Sequence, residues 1–157
     1  MADNDIYNSK ARYENFVEHI KNYLKPPLKN ERKRKYWIKN AKNLVYAEKL
    51  FKIFDAKDNS YVRRLRVFRT FLIVCHVLNK DLKNVTERDD IDKVLAFAHT
   101  VNKAVKSKRD FALDLRYMWK IIFPEKDERG RIDETLTPYV VRHLSGKVDK
   151  SKDKMKM

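Results

Sequence analysis

Only two glycines and four prolines interrupt 157 residues, and that scarcity constrains the fold more than any other feature. A sheet protein needs frequent tight turns and draws on glycine, proline and asparagine to make them, so a chain this poor in turn formers is driven toward long helices. The apolar residues agree. Between Ala11 and Leu24 they fall at Tyr13, Phe16, Val17, Ile20, Tyr23 and Leu24, the i, i+3, i+4, i+7 spacing of one helix face, and Pro26-Pro27 stops that helix. A second periodic segment carries Trp37, Ala41, Leu44, Phe51 and Phe54 and is predicted to end near Ala56, with the basic run before it feeding straight into the helix.

The third predicted helix, Tyr61 to about Leu78, takes its capping oxygens from Asp58-Asn59-Ser60. Its C-terminal half is apolar almost all round, so it is expected at the centre of the fold. Thr86 is the predicted N-cap of a fourth helix bearing Ile91, Val94, Leu95, Ala98 and Val101, with Glu87, Asp89 and Asp90 placed to complement the helix dipole. Ser107 is the predicted cap of a fifth, with Phe111, Leu115, Met118, Trp119 and Ile122 on one face and Pro124 just beyond it. A charged loop follows, then an apolar stretch from Leu136 to Leu144 that suits one small helix opened by Pro138.

The fold class is therefore all-α, a compact bundle of about four to six helices. A chain of this length carries one main domain. It divides by composition into an N-terminal helical extension with the basic run (1–57), a helical core (58–144) and a basic tail or linker (145–157) with little to bury.

Lys and Arg outnumber Asp and Glu by 37 to 22, a net charge of +15, which favours a polyanionic partner. A membrane partner is not expected, because the longest apolar run, Phe71 to Leu78, is far short of the ~20 residues of a spanning helix. The N-terminus lacks the pattern of a secretion signal, and the single Cys75 excludes an intramolecular disulfide, so a reducing cytoplasm, in association with the nucleoid, is the expected location. His19, His76, His99 and His143 are scattered without zinc spacing, and Cys75 reads as a small core residue. Gly130 and Gly146 are too far apart to form a phosphate loop. No cofactor, metal or catalytic constellation is expected.

The positive charge collects at Lys29 to Lys42, Arg63 to Arg69 and Lys103 to Arg109. The first holds seven basic residues against one Glu; Tyr61 to Arg69 holds four arginines and no acid. Cations at a helix N-terminus oppose the dipole, a conflict a phosphate would relieve. Arg63, Arg64 and Arg66 open one predicted helix while Lys106, Ser107, Lys108 and Arg109 open another, so both ends are expected to point at a duplex. Lys33, Arg34 and the tail lysines are candidate assistants, and Trp37, at helical spacing, is expected in the core rather than stacked on bases.

From Ser60 to Pro124 the order of these elements resembles the N-terminal core-binding, SAM-like domain of phage-integrase-type tyrosine recombinases, archaeal members in particular. The resemblance lies in Ser60-Tyr61…Phe68…Phe71-Leu72, then Lys80-Asp-Leu-Lys-Asn-Val-Thr86 leading to Ile91, then Ser107…Phe111…Leu115…Trp119. It implies a domain that clasps one side of double-stranded DNA while a separate C-terminal domain supplies the catalytic residues and the nucleophilic tyrosine. That second domain is not in this sequence, which on this reading is a fragment or free-standing relic, monomeric alone and assembling on DNA through the missing domain. Arg142-His143 does not supply its motif, since the family places a His three residues before its Arg and this chain has Tyr139 there. Two other classes fit the composition: a helical protein-interaction module with solvated basic faces, and a structured-RNA binder.

Overall fold

Phe71, Leu72, Ile73, Val74 and Cys75 are consecutive and all buried, which a helix permits only when other elements surround it. In the computed structural model, which describes residues 8–29, 35–102 and 104–145, this stretch belongs to the third of six α-helices. They are α1 (Ser9–Glu18), α2 (Leu44–Lys57), α3 (Tyr61–Val77), α4 (Arg88–Val101), α5 (Val105–Ile122) and the single turn α6 (Tyr139–Arg142). Helices α1, α2, α4 and α5 all pack on α3, so it holds the centre that its composition predicts. The described residues contain no strand, and the fold is an all-α packed bundle. One hydrophobic cluster runs from Tyr13 to Leu144, so α1 and α2 share their core with α3–α6.

Local chemistry sets the helix ends. Helix α2 stops at Asp58, which takes the left-handed conformation (φ 50°) that a short polar side chain tolerates. Two residues on, the Ser60 hydroxyl accepts the Arg63 amide and opens α3, as its sequence predicts. The Asp127–Gly130 turn depends on Gly130 at φ 77°, and backbone pairing of Lys126 with Ile132 closes it. Asn43, fully buried, joins two segments: its amide donates to the Lys80 carbonyl at 2.9 Å and its oxygen accepts the Leu82 amide at 2.9 Å.

Four local expectations need correction. The first helix ends at Glu18 and tightens into a 3-10 turn over Ile20–Leu24, leaving Val17 exposed. The basic run does not feed straight into a helix: residues 35–38 belong to no helix, a 3-10 turn covers Ala41–Asn43, and α2 begins at Leu44. Outside a helix, the Ile38 amide is available to donate to the Tyr23 carbonyl at 2.7 Å while Ile38 itself enters the core. Thr86 lies outside α4, whose N-cap is Glu87, while Asp89 and Asp90 stand in the first turn as expected and complement the dipole. Ser107 does not cap α5, which starts two residues earlier behind Ala104, because the Lys108 amide already bonds the Ala104 carbonyl.

Candidate nucleic-acid interface

Arg63, Arg66 and Arg69 repeat every three residues, so they form one stripe along α3. Their partners on α5 descend as the arginines ascend. The Arg63 guanidinium lies 4.4 Å from the centre of the Tyr117 ring. Arg66 Nε bonds Asp114 Oδ2 at 2.9 Å. Arg66, Arg69 and Thr70 share a small cleft of about 140 Å³ with Ser107, Asp110 and Asp114. Helices α3 and α5 are thus antiparallel, with Arg63 at the Tyr117 end of the pair and Arg69 reaching the Ser107 end. Between Lys106 and Tyr117, the residue beside Arg63, the helix rises about 16 Å. The two helix starts do not converge on one point, as their sequence suggested; the charge runs along the side of the pair.

Arg64 leaves this stripe. It shares a helix face with Val67, Phe68 and Phe71, all buried, and is itself only 3% exposed. Its Nε donates to the Asn59 carbonyl at 2.8 Å and its Nη1 to Asp55 at 2.6 Å, while the guanidinium lies over the rings of Tyr13 and Tyr61. It therefore locks the α2–α3 corner and does not offer its charge to a ligand. Arg64→Ala is expected to lower stability by about 2–3 kcal/mol through lost charge-assisted hydrogen bonds and ring contacts. Urea unfolding of the variant measures this directly.

The other predicted contacts remain accessible. Lys106, Ser107 and Arg109 are exposed and Lys108 half-buried. Among the described residues Arg109 pairs with its neighbour Asp110, at 3.9 Å, a contact that contributes little at a surface. Burial, and secondarily the Lys108 charge, hold the His99 pKa below its usual value. The N-cap position of α5 is Ala104, whose side chain supplies no capping hydrogen bond. Lys33 and Arg34 lie outside the described residues, as do the tail lysines after Ser145.

Asp114 is the carboxylate to which the stripe is tied. Its side chain is buried and that of Arg66 half-exposed. Burial raises the Asp114 pKa above the ordinary carboxylate value, opposed by Arg66 and Arg63. Sequence reasoning passed over it, although an acid at the i+3 position between Phe111 and Met118, on the apolar face of α5, was its signal.

Arg12 and Lys35 were also passed over. They join Arg66 and Arg69 around a second, larger groove of about 560 Å³ between α1, α3 and the end of α4. Neither Arg12 nor Arg69 forms an ion pair with a described residue. Trp37 is half-buried against His76, with ring centres 4.4 Å apart, and lies outside both the helices and the core cluster, so it is not the core residue at helical spacing that its sequence suggested; its neighbour Tyr36 packs on His76 and Phe97 at the edge of the core. Cys75 is fully buried, and burial pushes its thiol pKa well up, away from reactivity. Among the described residues no three His, Cys, Asp or Glu gather as a metal site, and no helix is long and apolar enough to cross a membrane.

No family model, curated protein or solved structure matches this chain. Its own side chains place a line of three guanidinium groups, Arg63, Arg66 and Arg69, along the antiparallel α3–α5 pair, with Ser107 in the first turn of α5 beside Arg66 and Arg69. Such a line suits regularly spaced phosphates.

Proposed function

We propose that this chain binds duplex DNA as the core-binding domain of a site-specific tyrosine recombinase, holding the duplex while residues outside this sequence cut and rejoin it. One observation carries the reading: Arg63, Arg66 and Arg69 on α3 lead along the α3–α5 pair toward Ser107 and its basic neighbours on α5. The roughly 16 Å between its ends matches about five base steps of B-DNA. The all-α bundle, the net charge of +15 and the order of motifs from Ser60 to Pro124 support it.

Within this site, Arg63, Arg69, Lys106, Lys108 and Arg109 contact phosphates, and Ser107 adds a hydroxyl. Arg66 is held by Asp114 and orients the stripe. Arg64 takes no part, because it is internal. Five neutralised phosphates give an expected slope of about −4.5 for log affinity against log salt. Fluorescence anisotropy with duplex DNA, single-stranded DNA and duplex RNA across a salt series tests this. Tight duplex-DNA binding with that slope supports the proposal. Absence of duplex binding at low salt overturns it in favour of a protein partner, and a preference for RNA of equal charge overturns it in favour of 2′-hydroxyl recognition.

A further inference from the structure

The larger groove is not a continuation of the phosphate line. Its floor is apolar, formed by Leu65 and Leu72 of α3, Phe16 and Tyr23 from the N-terminal segment, and Val101 at the end of α4. Its cations are Arg12, Lys35, Arg66 and Arg69, and no described Asp or Glu lines it. At about 560 Å³ it falls within the roughly 300–1,000 Å³ of sites that enclose a small organic group. A duplex presents only phosphates and stacked base edges to such a concavity, and the apolar floor would then face water. An unpaired nucleotide presents both surfaces the groove can use: a flat apolar base and, on either side of it, a phosphate.

We infer that this groove receives an unpaired nucleotide at the edge of the bound duplex, its base against the Leu65–Tyr23 floor and its flanking phosphates on Arg12, Lys35 and Arg69, with Arg66 held at the rim by Asp114. Arg66 and Arg69 line both this groove and the small cleft toward α5, so they join the duplex track to the groove. Charge complementarity and the presence of aromatic rings in the lining favour a nucleotide over an acidic peptide, which would match the rim but makes no particular use of ring faces. The inference rests on the duplex-binding reading above and adds to it a preference for DNA with an unpaired end or displaced base.

The test compares a blunt duplex with a duplex carrying a two-nucleotide single-stranded overhang, matched for total phosphates, with 2-aminopurine at the unpaired position. The overhang is expected to bind roughly ten-fold more tightly, with aminopurine fluorescence quenched on binding, given the usual strength of base stacking on protein rings. The control is Val62→Trp/Val101→Trp: both valines line the groove and are well exposed, so the rings fill it without changing charge or core. This variant is expected to bind the blunt duplex as before and to lose both the overhang preference and the quenching. Equal affinity for the two duplexes with unchanged fluorescence overturns the groove assignment while leaving duplex binding standing. Failure to bind either duplex removes both. Displacement of the overhang, but not of the blunt duplex, by an acidic leucine-bearing peptide at lower concentration than by single-stranded DNA overturns the nucleotide in favour of a protein segment.

Discussion

Arg66→Ala is expected to lower the unfolding free energy by about 2–3 kcal/mol at neutral pH, and most of that deficit is expected to vanish in acid. The cause is the partner left behind. Asp114 is buried in the α3–α5 interface, and burial already raises its pKa despite the neighbouring Arg66 and Arg63. Removing the 2.9 Å guanidinium contact takes away the largest opposing influence and pushes that pKa higher still. A carboxyl whose folded pKa exceeds its unfolded value of 3.8 burdens the fold above the folded pKa and not at all below the unfolded one. The gap between variant and wild type therefore closes as pH falls toward 3.8. Because Arg66 is half-exposed, water reaches part of the site, which brings the loss down to or below the roughly 3 kcal/mol at the bottom of the range for broken buried pairs. Thermal unfolding should show a midpoint lower by roughly 5–10 °C. Adding Asp114→Asn to Arg66→Ala is expected to recover most of the loss. A single variant as stable as wild type at neutral pH would show that the pair does not support the α3–α5 contact.

The second large effect concerns binding. Lys106→Ala/Lys108→Ala/Arg109→Ala removes three of the five proposed phosphate contacts, and the salt slope is expected to become shallower by about 2.7. Near physiological salt this corresponds to roughly a 100-fold loss of affinity for duplex DNA. Stability should change little, since Lys106 and Arg109 are exposed and the Arg109–Asp110 approach is a weak surface contact. Arg64→Ala is its mirror image: stability falls while the slope of whatever remains folded stays near −4.5. An unchanged slope in the triple variant would separate the start of α5 from the interface and confine any contact to the α3 stripe.

These two variants also show where sequence and structure part. The inward turn of Arg64 was legible, because it sits at i−3, i−4 and i−7 from Val67, Phe68 and Phe71, and a helix places those positions on one face. Reading the four arginines of α3 as one cluster obscured this, since charge was counted along the chain and not around the helix. The same periodicity located the central helix, the Ser60 cap and the core face of α5 correctly. Cap assignments at Thr86 and Ser107 failed because a suitable side chain permits a helix start without fixing it. The first turn of α4 carries Asp89 and Asp90, and that of α5 begins at Val105, so neither helix depends on the predicted hydroxyl.

What the sequence determined by itself is the all-α class, the central place of α3 and the excess of positive charge, because scarcity of turn residues, apolar periodicity and composition are local properties that no distant contact rewrites. Tertiary structure alone decided that α3 and α5 run antiparallel, that Arg66 is committed to Asp114 while Arg69 forms no ion pair with a described residue, and that Arg12 and Lys35 close a groove with them. Those facts depend on which helix faces meet. That is settled by packing among residues far apart in the chain, for which spacing along one helix carries no information.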